Sequence, residues 1–159
     1  MPQYYILRKV RGESIQTSNP VNAVCIRMLS NIINLNINNC INGITQQLVN
    51  QGSLNLNNDF TITPNNDHID IFALRNSTLI ITMMLNLGPT GKSISIGILD
   101  SQNNVIFIQR FVPVNQIVTD KVFLTLTANT SYKLYIFSTD SNIITQDVGN
   151  LCPFVLTSS

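Results

Sequence analysis

Between Ile33 and Asn38 apolar and amide side chains alternate without a break: Ile33, Leu35 and Ile37 on one side, Asn34, Asn36 and Asn38 on the other. A period of two over such a run marks a half-buried β-strand, because successive side chains leave a strand on opposite faces. No segment of helical length sustains apolar residues three and four apart. Instead, short runs rich in β-branched residues recur at 54–56, 60–63, 69–74, 77–87, 94–99, 105–112, 122–127, 132–137 and 154–156. Turn-forming clusters separate them, among them Pro64-Asn65-Asn66-Asp67, Gly88-Pro89-Thr90-Gly91 and Ala128-Asn129-Thr130. Eight to ten short strands at this spacing predict an all-β fold, and the lack of helices to cover a parallel sheet favours antiparallel pairing. The expected architecture is a jelly-roll β-sandwich of about eight strands, with an immunoglobulin-like sandwich as the alternative.

The first twenty residues do not share this rhythm. They are polar, extended in character and broken by Gly12 and Asn19-Pro20. The expected division is an N-terminal arm over residues 1–20 and a sandwich body over 21–159. Within the arm Tyr4, Ile6 and Val10 share one parity, which makes them the candidate donor residues for pairing with another sheet.

Composition narrows the classes of function. Charged residues make up 11% of the chain, against about 25% in a typical globular protein. Asn and Ile, 22 of each, stand in their place. A surface rich in amides and poor in charge is weakly solvated and suits packing against copies of itself. Net charge is +1, and the one basic group, Arg8-Lys9-Arg11, has no aromatic-interleaved basic face around it, so no nucleic-acid partner is expected. No apolar stretch reaches membrane-spanning length, so no membrane partner is expected, and the opening residues do not read as a signal peptide.

Three motifs have plain structural readings. Gly88-Pro89-Thr90-Gly91-Lys92-Ser93 resembles a phosphate loop, but Asn86 stands where that motif needs glycine, and the strand-like Ile94-Ser95-Ile96 follows where it needs a helix. His68, the single histidine, sits between Asp67 and Asp70, and one imidazole with two carboxylates falls short of a zinc set; a solvated loop is expected. Tyr132 shares parity with Leu134 and Ile136, whereas Tyr135 does not, so one of the two should fill the core. With no Trp for sugar stacking and no nucleophile, base and orienter together, neither an enzyme nor a cofactor or metal site is expected.

Three cysteines remain, an odd number that cannot all pair within one chain. In Val24-Cys25-Ile26-Arg27-Met28 the core-like set is Val24, Ile26 and Met28, which turns Cys25 to the Arg27 face. Cys40 has the parity of Asn34, Asn36 and Asn38 and should also point outward. The pattern leaves the direction of Cys152 open. Reduced packed thiols and disulfides, including one between chains, are both compatible with this reading. Cys25, Cys40 and Cys152 are the candidate intersubunit bridges.

An N-terminal arm, a compact low-charge sandwich and scattered cysteines together resemble the subunits of bacterial endospore appendage fibres. The segment Leu124–Leu134 likewise resembles the penultimate hairpin of many jelly rolls, trimeric spore-surface domains among them. The resemblance implies a jelly-roll body whose arm inserts into neighbouring subunits, disulfides between subunits, and a place on the spore or cell surface or outside the cell. Here the first cysteine is Cys25, so the arm's tip lacks one. The expected function is a non-enzymatic subunit that self-assembles into a fibre through β-edge augmentation and arm exchange. A viral capsid or surface jelly roll and a trimeric lectin-like module are the alternatives.

Overall fold

The computed structural model describes residues 19–30, 34–41, 44–47, 52–65, 67–87, 92–113, 115–138, 146–147 and 152–159. The expected arm therefore lies almost wholly outside the described residues, with Tyr4, Ile6 and Val10. The described residues form an all-β, sandwich-like fold of two antiparallel sheets. Thirteen strands are described, numbered in chain order. One sheet holds β1 (Ala23–Ser30), β2 (Asn34–Ile41), β3 (Ile44–Gln47), β7 (Ser77–Asn86), β10 (Ile117–Leu126), β12 (Gln146–Asp147) and β13 (Phe154–Ser158). The other holds β4 (Leu54–Leu56), β5 (Phe60–Pro64), β6 (Ile69–Ala73), β8 (Ile94–Asp100), β9 (Val105–Phe111) and β11 (Thr130–Phe137).

The first sheet runs β10-β7-β13-β1-β2-β3, with β12 also against β7; the second runs β4-β5-β6-β11-β8-β9. From β6 onward the chain mostly changes sheet between strands, so sequence neighbours face one another across the core. Alternation along each strand then builds that core. Leu79, Ile81, Met83 and Leu85 of β7 point inward while Thr78, Ile80, Thr82 and Met84 point out, and β6 and β11 contribute Ile69, Ile71, Leu134 and Ile136 from the facing sheet. Val24 and Ile26 of β1 belong to the same cluster. The register sets Ile37 of β2 opposite Ile26 and Leu35 opposite Met28.

β10 is longer than the sequence suggests. It starts at Ile117 rather than Val122, because Asp120 and Lys121 break the apolar pattern while the backbone continues its ladder against β7. β3 and β12 carry no apolar alternation and escape a sequence reading altogether. Many of the asparagines serve the turns. Asn57, Asn58, Asn103, Asn115 and Asn129 have φ between 52° and 66°, a left-handed conformation that asparagine tolerates better than other residues with a Cβ.

Tyr132 is the core tyrosine of its strand and Tyr135 is half-exposed on the outer face. The Tyr132 hydroxyl accepts a hydrogen bond from the Thr127 amide at 3.0 Å, closing the β10–β11 turn. That turn is also held by the Ala128 amide on Asn76 and the Asn129 amide on the Ala73 carbonyl. Removing only the hydroxyl, Tyr132→Phe, should cost about 1 kcal/mol in urea unfolding, the value of one such bond. An unchanged midpoint would show that the turn does not depend on it.

Candidate functional site

A sandwich has four sheet borders, and each is a row of backbone groups that another strand can pair with unless something blunts it. Here the borders are β3 and β10 in one sheet, β4 and β9 in the other. β3 and β4 are short, with four and three residues. β10 carries Asp120 and Lys121 in its middle, both exposed, and inserted charge opposes edge pairing. β9 is neither short nor charged over its first four residues, Val105-Ile106-Phe107-Ile108, and meets its first charge at Arg110; what interrupts its ladder is a bulge at Ile106.

Those residues do not turn inward. Val105, Ile106 and Ile108 are 59%, 48% and 60% exposed. The register explains why. Ile108 pairs with Gly97 and Phe107 with Ile98, but Leu99 pairs with Val105, so Ile106 is an extra residue in the ladder. Such a bulge disturbs the strict in–out alternation and bends the strand, a feature common at sheet edges. Phe107 alone of this group packs against the core.

Behind this border the outer face of the sheet is hollowed. Gly97 supplies no side chain, and a depression of about 260 Å³ over it is lined by Leu99, Val105, Ile108, Tyr135 and Phe137. Added at Gly97, a Cβ would come to 3.5 Å from the Phe137 ring, an ordinary van der Waals contact that would fill a small part of the hollow. The seam between β9 and β10 forms a second depression of about 270 Å³, lined by Arg110, Phe111, Val112, Ile117 and Val118 among others. Arg110 is anchored there, its Nε donating to Ser93 Oγ at 2.8 Å.

His68 is more enclosed than a solvated loop. Its ring stacks on Tyr135 with centroids 5.2 Å apart, and its nitrogens meet Asp67 at 2.7 Å and Asp70 at 3.2 Å. The two carboxylates approach opposite ends of the ring, so the three groups do not converge on one point where an ion could sit. The hydrogen bond from His68, with the imidazole's charge, holds the Asp67 carboxyl below the usual range despite some desolvation. The His68 ring thus stacks on a residue that lines the hollow, Tyr135. Of the phosphate-loop-like segment, Lys92 and Ser93 are described and lead directly into β8; residues 88–91 lie outside the described set.

The cysteines need the largest correction. Cys25 does lie off the core side of β1, since Val24 and Ile26 join the core cluster and Cys25 does not. Yet it is fully buried and bonded to Cys152, with a Cα–Cα separation of 5.8 Å, well within disulfide range. The expectation that Cys25 is exposed fails because parity fixes which side of a sheet a residue occupies and not whether that side is covered. Here the chain entering β13 covers it: β13 pairs with β1, and Cys152 stands two residues before its first strand residue. Cross-linking between copies, expected for Cys25, Cys40 and Cys152 alike, is thus closed to two of them while this bond is intact. The register places Cys40 opposite Ala23.

In the sequence, residues 105–112 carry the pattern of a strand. The signal was present as four consecutive apolar residues where a half-buried strand should alternate. No protein-family model matches this chain, and no curated protein matches it significantly.

Proposed function

We propose that this chain is a structural subunit that assembles with copies of itself into a fibre by extending its sheets. The observation that carries the reading is the border strand β9, which presents Val105, Ile106 and Ile108 to solvent without a charge before Arg110. An extended segment of a second copy that paired with β9 would satisfy its outward backbone groups and cover those side chains. Such a contact joins two different surfaces and does not close on itself, so repetition gives a filament.

The arm is the proposed donor, with Tyr4, Ile6 and Val10 on one side of it. Cys40 is the thiol left for a bond between copies. An eight-stranded jelly roll is the finer fold we assign to the body. β1, β13, β7 and β10 in one sheet, with β6, β11, β8 and β9 in the other, follow the strand order of two interlocked Greek keys. On this assignment β2 to β5 are an insertion that widens both sheets. The role is structural, with no chemistry assigned, and a spore-surface, cell-surface or extracellular location belongs to the same proposal.

Ile106→Lys combined with Ile108→Lys tests it. Negative-stain microscopy should show filaments of the parent protein and discrete particles of the variant, with thermal stability nearly unchanged because both positions are exposed. Deleting residues 1–20 should have the same effect. Filaments that survive both changes, or a parent protein that stays monomeric at high concentration, would refute the reading.

A further inference from the structure

The Cys25–Cys152 bond spans 127 residues, so β2 to β12 lie wholly between the bridged positions. Its place in the sheet has a mechanical consequence. β1 and β13 are antiparallel, with Val24 opposite Leu156, Cys25 opposite Val155 and Ile26 opposite Phe154. The chain entering β1 and the chain leaving β13 are therefore at the same end of one ladder. Tension applied to those two segments loads the ladder's hydrogen-bonded pairs one after another, the weakest way to load a sheet.

The strand exposed to this peeling is critical. β13 lies between β1 and β7, pairing with both. Its loss would cut the sheet in two and uncover Phe154 and Leu156, both fully buried. Peeling from the β1 side passes the Val24–Leu156 pair and then meets Cys25, which is covalently joined to the residue two before β13. Beyond that point the tension runs through sulfur and leaves β2 to β12 unloaded, while β13, which follows Cys152, stays in the load path.

We infer that this chain transmits tension between its two ends through the Cys25–Cys152 bond, with β2 to β12 bypassed and β13 left as the strand that bears the load. The inference depends on the assembly reading only for the source of the tension. It concerns a single chain and is measured on one.

The full chain, held by handles fused at both ends, is stretched in a single-molecule force experiment with and without a thiol reductant. The oxidised chain should show no step that releases the enclosed segment. Reductant should add a step of roughly 420–460 Å, the extended length of 127 residues. That step in the oxidised chain, or identical traces in both conditions, would overturn the inference. Untethered protein examined by microscopy reports filament formation separately, so either result can fail while the other stands.

Discussion

Replacing both bridged cysteines, Cys25→Ala with Cys152→Ala, should lower the folding free energy by about 4 kcal/mol and the melting temperature by roughly 8–16 °C. The size follows from the length of the loop. A bond that closes 127 residues restricts the unfolded chain far more than a short one, and chain-entropy arguments put the limit near 5 kcal/mol at about this length. Position adds to it, because the bond ties the central pairing of the sheet's strand order, β13 on β1, to a buried site.

Loss of two side chains could lower stability without any bond being involved, and the control separates the two. Reductant added to the parent protein should reproduce most of the fall, while the variant should not respond to it. A parent protein whose melting is indifferent to reductant would mean the bond contributes nothing. On non-reducing electrophoresis the parent should migrate faster than its reduced form, as a closed loop does. Multimers that collapse with reductant would then point to Cys40.

How much of this could be read from the sequence depends on how local the cause was. The alternations Leu79-Ile81-Met83-Leu85 and Tyr132-Leu134-Ile136 are local, and the strands and core residues they predict are found. The side of the sheet on which Cys25 lies was equally legible, since parity needs only its neighbours. Its partner was not. Pairing with Cys152 depends on β13 docking beside β1, a contact between distant parts of the chain that no pattern within either segment encodes. The Asn content shows the same division: as composition it suggested a weakly solvated surface, while at Asn57, Asn58, Asn103, Asn115 and Asn129 its role is to turn the backbone. The exposure of β9 was hidden for another reason. Four apolar residues in a row suggest a strand buried on both faces, whereas here the bulge at Ile106 and the uncovered outer face of a border strand turn three of them into open surface.

Asp59→Asn should destabilise the protein by about 2–3 kcal/mol at neutral pH, with the difference shrinking in acid. Asp59 lies in the β4–β5 turn and is nearly buried. One carboxylate oxygen accepts from Arg75 Nε at 2.6 Å and Ser77 Oγ at 3.1 Å; the other accepts from Ser158 Oγ at 2.6 Å. Three donors from the β6–β7 turn, the start of β7 and the end of β13 thus meet on one anion, which links the two sheets at this end. An amide of the same shape removes the charge that Arg75 faces and has one acceptor oxygen in place of two, so at least one serine hydroxyl must turn from donor to acceptor. Hydrogen bonds to a charged group contribute about 1.5–3 kcal/mol each. Burial by itself would raise the Asp59 pKa, but the hydrogen bonds from Ser158, Arg75 and Ser77 and the charge of Arg75 outweigh it and leave the carboxyl below its ordinary value. A folded-state pKa below the unfolded one means the contribution is complete above about pH 4 and is lost as pH falls through the folded value. Denaturant unfolding of both proteins at pH 7 and near pH 2.5 should therefore show a wide gap at the first and a narrower one at the second. An equal gap at both would mean that Asp59 acts by its shape, with no part played by its charge.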